Sequence, residues 1–449
     1  MKKAKIYYAR MDEFWTKEEK LKYLEKLEHT GNVEWEKITP DKNNNWLTEG
    51  LENDFDNFIV IGNREAKAAA VQNQKVLFKL FSLGVNTSRD SWVINHDTKI
   101  LESNIIKTVE TYNEQVIKWK NRDQSCTNAN IDDFIIYDDT KINWSSTLKN
   151  YLKRGTSNKY NYDQIRNYIY RPFCDQSLYF DKILNDRRGQ FPLIFPTPET
   201  EKENLVICLT DSGSEKPFMI LITTHLPDLH LVGTGCGSQC FPFYTYDEDG
   251  TNRQENITDW ALKQYCNHYQ DNTITKWNIF YYIYAVLHHP HYRERYAANL
   301  RRELPRIPFA PQFHPFVIAG KRLAEINVNY EKQPEYRLKH LENKDLPIDW
   351  RVEKMRLSKD QTQIKYNDFL TLTGIPPEVF LYRLGNRSAL DWIIDQYQVT
   401  TDKRSGITND PNRLDDEEYI VRLIKQIITV SLETVEIVNN LPDLGLPKD

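Results

Sequence analysis

The chain has 449 residues, of which 40% are hydrophobic and 27% charged, and its 59 Lys and Arg against 64 Asp and Glu give a formal net charge of −5. This composition excludes a disordered or collagen-like chain, and its longest apolar run, Ile279 to Leu287, is far shorter than the roughly 20 residues that a membrane-spanning helix needs. The basic start, Met1 to Lys5, is not followed by the apolar stretch of a signal peptide. Six Cys without a framework spacing are typical of thiols in a reducing compartment. We therefore expect a cytoplasmic protein with no membrane segment.

Three helices are predicted in the first part of the chain. One begins after Thr16, where Glu19 stands at the spacing of a capping box, and ends at Gly31. A second covers residues 62–82, which are rich in Ala, Lys and Gln. A third runs from about residue 100 to residue 120, because apolar residues recur there on one helix side. These are Leu101, Ile105, Val109, Tyr112 and Val116.

Short strands are predicted for the middle of the chain, with Pro, Gly and Asp between them. They are Leu193–Phe195, Leu205–Leu209, Phe218–Ile222, Leu229–Val232 and Phe241–Tyr244. Helices follow over residues 258–304, where Pro290 marks the start of a helix. We expect that helix to turn Tyr292, Tyr296 and Leu300 inward and its arginines mostly outward.

The end of the chain is predicted to hold a hairpin, with strands at 352–357 and 363–366, and a long helix from about 416 to 439. Helices and strands alternate without the rhythm of a parallel sheet. The expected fold class is therefore α+β: mixed helices and short, mostly antiparallel strands, with a helical C-terminal segment. We expect three regions: 1–125, an N-terminal helical region; 126–345, a central basic and aromatic region; and 346–449, the C-terminal hairpin and helical region.

The common catalytic motifs are missing from the sequence. It has no phosphate-binding G-x-x-x-x-G-K-[ST], no G-x-S-x-G and no H-E-x-x-H. The N-P-P-[YF] loop of adenine methyltransferases is also missing. We therefore expect no catalytic residues, no cofactor site and no metal site, so that the chain does not catalyse a reaction alone.

Two short patterns look like sites but are better explained as structure. The Gly-rich segment 233–237 is more typical of a turn than of a cofactor loop. Zinc-like spacing occurs within two pairs, His225 with His230 and Cys236 with Cys240, but only about five residues separate the pairs, against the dozen or so that is usual. Residues of these types are also common in protein cores.

Two other functions stay open as alternatives. Pro40-Asp41 followed by Asp97-Thr98-Lys99 loosely matches the PD-(D/E)xK nuclease pattern, although such strings arise by chance in a chain rich in Asp and Lys. A stand-alone nuclease would use Asp41, Asp97 and Lys99. A non-catalytic protein–protein adaptor would instead bind an acidic partner through its basic faces. The His cluster at 288–291 is expected to form a solvated corner.

Charge is distributed unevenly along the chain. Residues 141–188 hold ten Lys and Arg against four Asp, a local charge of +6, and nine aromatic residues are interleaved with them. Cations neutralise phosphates and aromatic rings stack on bases, so this window is a candidate nucleic-acid surface. A Tyr-rich core edge with solvated cations explains the same pattern equally well. A second basic segment, 276–306, has a charge of +4.

Segments along nearly the whole chain match, in order, the pattern of one family. They are Tyr8–Met11, Gly84–Trp92, Tyr170–Phe173, Leu178–Asp181, Pro227–His230, Gln239–Tyr244, Ile279–Tyr284, Tyr292–Tyr296, Leu304–Phe309, Tyr366–Phe369, Gly374–Phe380, Tyr382–Leu390, Asp395–Tyr397 and Asp410–Arg413. On these residues the chain resembles the C-terminal specificity region of type ISP restriction–modification enzymes, and Tyr382–Leu390 is the most specific segment. The Gly/Cys segment 233–240 is longer than the family pattern.

The resemblance implies a sequence-specific DNA target-recognition module. In intact enzymes of this family one polypeptide joins a nuclease, an ATP-driven translocase, a coupler, an adenine-N6 methyltransferase and a recognition region that reads a short asymmetric site and presents a flipped adenine. This chain resembles the recognition region, and residues 1–125 would be a spacer after a missing methyltransferase. The expected partners are double-stranded DNA and the methyltransferase and translocase/nuclease parts, in cis or in trans. S-adenosylmethionine, ATP and Mg²⁺ are expected for the intact enzyme and not in this chain.

Candidate DNA-binding residues follow from the basic window and the resemblance together. For phosphate contact we select Lys153, Arg154, Arg166, Arg171, Arg187 and Arg188, with Arg89 as a weaker candidate. The recognised DNA sequence does not follow from the residues, because base-edge contacts depend on loop geometry. A specificity subunit, a truncated protein and a remnant are equally compatible with this pattern.

Overall fold

The computed structural model describes residues 4–11, 15–40, 44, 46–47, 49–67, 75–122 and 130–447. Contacts group the chain into two units, Met1–Asn53 and Asp54–Asp449. The region boundaries expected near residues 125 and 345 both fall inside the larger unit, so the three-region division stays a prediction.

The described residues of the smaller unit form one α-helix and a two-stranded sheet. Strands β1 (Ile6–Tyr8) and β2 (Glu36–Ile38) pair antiparallel. Helix α1 (Lys17–Leu27) begins with the predicted capping box, in which Glu19 N donates to Thr16 Oγ1 and Thr16 N donates to Glu19 Oε2. The box supplies partners for amides that the first helical turn leaves without one.

The larger unit mixes helices with short strands. Its helices are α2 (Arg64–Lys67), α3 (Asp90–Val93), α4 (Thr98–Lys120), α5 (Ile131–Phe134), α6 (Ser146–Lys153), α7 (Phe191–Ile194), α8 (Pro198–Glu203), α9 (Asp259–Tyr269), α10 (Lys276–Val286), α11 (Pro290–Arg295), α12 (Ala297–Arg302), α13 (Phe313–Val328), α14 (Ala389–Gln396) and α15 (Tyr419–Asn439). Its strands are β3 (Ile59–Val60), β4 (Ser82–Leu83), β5 (Ile94–Asn95), β6 (Ile165–Arg171), β7 (Cys174–Tyr179), β8 (Val206–Thr210), β9 (Ile220–Thr223), β10 (Leu226–Pro227), β11 (Ser238–Pro242), β12 (Tyr244–Thr245), β13 (Gln254–Glu255), β14 (Arg306–Ile307), β15 (Lys339–Glu342), β16 (Arg356–Leu357), β17 (Gln363–Lys365), β18 (Leu370–Thr373), β19 (Arg383–Leu384), β20 (Arg387–Ser388), β21 (Thr400–Thr401) and β22 (Thr408–Asn409).

Three sheets of the larger unit have four strands. Their orders are β10-β6-β7-β5, β4-β11-β8-β9 and β15-β18-β17-β16. All neighbouring strands in them are antiparallel except β10 and β6. The expected α+β class with short, mostly antiparallel strands is therefore confirmed.

The sheet that contains β8 separates two hydrophobic cores. Along β8, Val206 and Cys208 belong to the first core, which also holds α4, β6, β7 and α15, whereas Ile207 and Leu209 belong to the second, with α10 and α13. Side chains alternate between the two faces of a strand, and here both faces are covered. This explains why β8 reads as a continuous apolar run in the sequence.

Helices α10 and α13 approach each other closely in the second core. A Cβ atom at Gly320 would lie 1.9 Å from the backbone oxygen of Tyr281, so no other residue fits there without moving one helix. Among the described residues, no helix is both long enough and apolar enough to cross a bilayer.

Several predicted elements are confirmed. Helix α4 buries all five residues of its predicted stripe. Strands β8 and β9, the β16–β17 hairpin, the helices after residue 258 and the closing helix α15 also form. Pro290 is the first residue of α11, and Tyr292, Tyr296 and Leu300 are buried as predicted.

Other predictions are wrong. Within 62–82 the described helix is α2 alone, and Leu77 and Phe78 donate backbone hydrogen bonds to Val60 and Ile61 instead. Burial of these apolar residues in the second core outweighs the helix propensity of the segment. The strand expected at 193–195 is instead the end of helix α7, with Phe195 as its C-cap, and 229–232 forms turns.

The cluster at 288–291 is a solvated corner only in part, because Pro290 and His291 are exposed whereas His288 and His289 are buried. His288 and His289 are 3% and 9% exposed, and each donates a ring N–H to a backbone oxygen, that of Tyr284 and that of Pro442 respectively. Their place in the second core follows from α10, whose C-terminal end carries them inward.

Candidate functional site

The ten cations of the basic window fall into two groups. Four form ion pairs: Lys141 with Asp138, Lys149 with Asp132, Arg166 with Glu201, and Arg171 with Asp228. The other six form no ion pair with any residue that the structure describes. They are Lys153, Arg154, Lys159, Lys182, Arg187 and Arg188. Five of them are exposed, and Arg188 is half-buried over the ring of Phe180. We call these six residues the basic surface.

Helix α6 links two parts of the basic surface. Its N-cap residue, Ser145, accepts from Leu148 N and donates through its hydroxyl to Asp186 Oδ1 at 2.5 Å, immediately before Arg187 in the chain. The other end of the helix carries Lys153. Because eight helical residues span about 12 Å, the two parts lie roughly that far apart along the helix.

A second link joins the loops that carry Lys159 and Lys182. Asn158 Nδ2 donates to Asp181 Oδ1 at 2.9 Å, and Asn113 of α4 holds Asn158 by two further hydrogen bonds of 2.7 and 2.9 Å. Sequence reasoning counted Lys159 and Lys182 in the charge of the window but did not select them. The signal that distinguishes them is the lack of a carboxylate partner, which only the fold reveals.

Arg89 lies inside the protein. Its side chain has no exposed surface, and it donates to Ser145 Oγ at 2.6 Å, to the backbone oxygens of Asn143 and Leu184, and to Asp186 Oδ1 at 3.2 Å. Burial lowers the pKa of this guanidinium, and the neighbouring Asp186 carboxylate opposes that shift. The sequence placed Arg89 on a binding surface, whereas the structure makes it a buried link that holds α6 and the 184–186 loop together.

Arg166 and Arg171 are also held by internal partners. Arg166 is 6% exposed, pairs with Glu201 and donates to Phe195 O at 3.0 Å. Arg171 donates to Asp228 Oδ1 at 3.1 Å and lies over the ring of Tyr170. The surface position expected for these two arginines is therefore corrected: they lie on β6 beside the first core, and the carboxylates of Glu201 and Asp228 neutralise their charges there.

Most aromatic residues of the window belong to the first core. Tyr168, Phe173 and Tyr179 are at most 1% exposed. Tyr162, with 61% of its surface exposed, is the clear exception. The rings therefore build a core edge and six of the cations face solvent, which is the arrangement that the core-edge explanation expects. A nucleic-acid surface formed by those cations stays a prediction.

A polar groove of about 400 Å³ lies beside the basic surface. It is lined by Asn86, which forms an antiparallel bridge with Arg187, together with Ser91 and His230. Asp402 and Arg404 of the loop between β21 and β22 also line the groove. The groove therefore connects the basic surface to a second, separate cationic element.

Asp228 is a buried carboxylate two residues before His230, which lines this groove. Its carboxylate accepts from Tyr168 OH, from Arg171 Nη1 and, at 2.6 Å, from His230 N. Burial raises the pKa of Asp228 to about 6, even though Arg171 acts in the opposite direction. These bonds fix the 228–230 segment against β6, which is a structural role.

The second basic segment carries little free charge. Lys276 is 9% exposed and pairs with Asp259 at 2.6 Å, and Arg306 pairs with Glu303 and Asp56. Arg293, expected to point outward, is half-buried and donates to Phe218 O. This segment therefore contributes less to a binding surface than its sequence charge indicates.

The alternative sites are not assembled among the described residues. No three His, Cys, Asp or Glu side chains in that part of the chain lie close enough to share a metal ion. His230 Nδ1 lies 3.1 Å from Cys236 O, and Cys236 and Cys240 are buried thiols. Gly233 and Gly235 have positive φ angles, as the predicted turn requires.

The residues of the nuclease pattern are also not brought together among the described residues. Asp97 caps helix α4 by accepting from the backbone amides of Lys99 and Ile100, so its carboxylate already has a structural use. Asp41, the other proposed carboxylate, lies outside the described residues.

Comparison with known proteins identifies one family. The Type ISP C-terminal specificity domain matches residues 76–424. No curated protein sequence matches the chain at a meaningful level.

Three solved structures resemble the chain over most of its length. A nuclease-deletion mutant of the Type ISP restriction–modification enzyme LlaGI, in complex with a DNA substrate mimic, is 31% identical, with a TM-score of 0.84 over 99% of this chain and 40% of that chain. The DrdV–DNA complex is 33% identical, with a TM-score of 0.85 over 98% and 44%. The ATP-dependent Type ISP enzyme LlaBIII bound to DNA is 29% identical, with a TM-score of 0.80 over 92% and 26%. The chain thus spans less than half the length of each.

Proposed function

Because the chain belongs to the Type ISP C-terminal specificity domain family, we propose that it is a DNA target-recognition module of a type ISP restriction–modification system. The observation that supports this most directly is the basic surface, where six cations lie on bonded neighbouring segments and lack carboxylate partners among the described residues. Related structures that contain DNA or a DNA mimic support the same choice of ligand.

The basic surface suits the DNA backbone for a physical reason. A cation that already pairs with a carboxylate must give up that bond to bind phosphate, whereas an unpaired surface cation gains the interaction and releases a condensed counterion from DNA. Lys153, Arg154, Arg187 and Arg188 are therefore the phosphate contacts that we retain from the sequence, and Lys159 and Lys182 are added to them. Contacts of this kind position a duplex without reading its sequence.

The proposal assigns the chemistry to other parts of the enzyme. Methylation of adenine N6 and DNA cleavage would be carried out by methyltransferase, translocase and nuclease parts, in cis or in trans. S-adenosylmethionine, ATP and Mg²⁺ would bind to those parts. A cytoplasmic location belongs to the same proposal, because the DNA to be read is there in a bacterial defence system.

Salt-dependent binding of a short duplex to the full chain tests the proposal. Charge reversal of two neighbouring residues, Lys153→Glu with Arg154→Glu, should weaken binding to specific and random duplexes alike. The slope of log K against log salt should fall by about 0.9 for each lost phosphate contact. A matched control reverses Lys263 and Lys321, exposed residues on α9 and α13 of the second core.

The outcomes separate clearly. The control should bind with the slope of the unchanged protein if the effect is local to the basic surface. Equal losses of duplex affinity in the two double variants would mean that binding depends only on the total charge of the protein, which would contradict the assigned surface. Absence of duplex binding by the unchanged chain at low salt would overturn the proposed function itself.

A further inference from the structure

The β21–β22 hairpin ends in a tip, residues 403–406, that presents two exposed cations, Lys403 and Arg404. Neither side chain bonds to any residue that the structure describes. We propose, on the basis of the DNA-binding function above, that this tip enters a groove of the target duplex, where Arg404 contacts a base edge and Lys403 contacts phosphate. The basic surface would then hold the backbone while the hairpin supplies sequence discrimination.

The shape of the tip suits insertion. Asp402 N donates to Ile407 O at 2.9 Å and Gly406 N to Asp402 O at 2.8 Å, which closes a short loop. Gly406 has φ +73°, the left-handed conformation that hairpin loops of this length require. No atom lies within 4 Å of the position where its Cβ would stand, so this side of the tip faces open space.

The tip is held in one conformation by its own residues. The Asp402 carboxylate accepts from Arg404 N at 3.1 Å, from Ser405 N at 2.7 Å and from Ser405 Oγ at 2.8 Å. These bonds occupy the carboxylate and lower the pKa of Asp402. Arg404 is thus presented from an ordered loop, and less conformational entropy is lost when it binds.

The base of the hairpin is fixed to the central sheet. Asn409 Nδ2 donates to Gln176 Oε1 of β7, and Asn409 Oδ1 accepts from His96 N, both at 2.9 Å. Asn95 Nδ2 of β5 donates to Thr408 O at 3.1 Å. The hairpin therefore projects from a rigid platform, which a base-reading element needs for a defined register.

Charges of both signs lie around the hairpin: Lys403 and Arg404 on the tip, and three carboxylates in the neighbouring groove. Asn86, whose backbone pairs with Arg187 of the basic surface, lines the same groove as Arg404. Of the carboxylates in that groove, Asp90 accepts from Thr87 and Tyr170, and Asp402 is used within the tip. Asp139 is the third carboxylate there, and it stands without a bonded partner among the described residues.

A two-stranded ribbon fits the major groove of B-DNA, which is about 12 Å wide and about 8.5 Å deep. Its paired strands lie only about 4.8 Å apart, which leaves room for side chains on both sides. The planar guanidinium of Arg404 matches the two acceptors of guanine in that groove, and a Lys ammonium cannot reproduce this two-point contact. The geometry thus points to a guanine as the base that Arg404 reads.

Selection from a duplex library with a randomised central segment tests the inference with the full chain. The unchanged protein, Arg404→Ala, Arg404→Lys and Lys403→Ala each select from the same library, and competition binding then measures the preference at every position. Arg404→Ala should lower the preference for one G·C pair by roughly 5- to 150-fold. Arg404→Lys should do the same while keeping the salt slope, and Lys403→Ala should weaken binding to all sequences equally.

Each outcome has a distinct meaning. If the Arg404 variants select the unchanged motif with unchanged preferences, the inference is overturned while DNA recognition stands. If Arg404→Lys restores the preference fully, Arg404 acts as a charge only and base reading is overturned. If the unchanged chain binds no duplex, the proposed function and this inference both fail. A melting temperature for Arg404→Ala within about 2 °C of the unchanged protein confirms that the variant is folded.

Discussion

Arg89 gives the sharpest test of how the structure reassigns the sequence-predicted site. The substitution Arg89→Met keeps most of the aliphatic volume and removes the guanidinium, which donates to Asn143 O, Ser145 Oγ, Leu184 O and Asp186 Oδ1. Breaking a buried ion pair by removing one partner costs about 3–5 kcal/mol. Asp186 remains 14% exposed and keeps its bond to Ser145, so we expect the lower end, about 3 kcal/mol.

The assay combines stability with binding. Urea denaturation followed by tryptophan fluorescence should show the loss in the free energy of unfolding for Arg89→Met, while the exposed control Arg154→Met should change it by less than about 0.5 kcal/mol. The slope of log K against log salt for duplex binding should behave in the opposite way. It should be unchanged for Arg89→Met under conditions in which this variant is folded, and about 0.9 lower for Arg154→Met. Full stability of Arg89→Met together with a flattened slope would refute the structural role.

Two further predictions concern the second core. Burial lowers the pKa of His288 to about 4, whereas the pKa of a histidine in an unfolded chain is roughly 6.5. The stability that neutral His288 contributes is therefore fully present above pH 6.5 and is lost as the pH falls toward 4. Between pH 7.5 and pH 5 the free energy of unfolding should therefore fall by about 2 kcal/mol more in the unchanged protein than in His288→Leu. Equal decreases for both proteins in urea titrations would disprove this. Gly320→Ala should lower the free energy of unfolding by at least roughly 1–3 kcal/mol, because the new Cβ atom would overlap the backbone oxygen of Tyr281. The control Ile318→Ala, at a side chain 70% exposed on the same helix, should change the unfolding midpoint little.

Local patterns predicted the elements whose periodicity is strong. Helix α4 shows its apolar stripe every three to four residues, and the capping box at Thr16 marks the start of α1. The prediction for 62–82 failed because Leu77 and Phe78 pair with distant backbone and enter the second core, which local propensity does not report. Tertiary packing decides such segments.

The sequence indicates which segment of the chain carries the candidate site, but it does not indicate which cations of that segment face solvent. The basic window does contain the exposed cations, but nothing in the sequence separates Arg154, which faces solvent, from Arg166, which pairs with Glu201. That distinction depends on partners more than thirty residues away. The hairpin tip was missed although Asp402 and Gly406 carry the turn chemistry that could have indicated it.

Selection from a random duplex library by the unchanged full chain measures whether this chain recognises a DNA sequence without other protein parts. We expect enrichment of one short asymmetric motif, bound more tightly than unrelated duplexes at physiological salt. Binding that enriches no motif would contradict sequence recognition and leave only non-specific attraction to the basic surface.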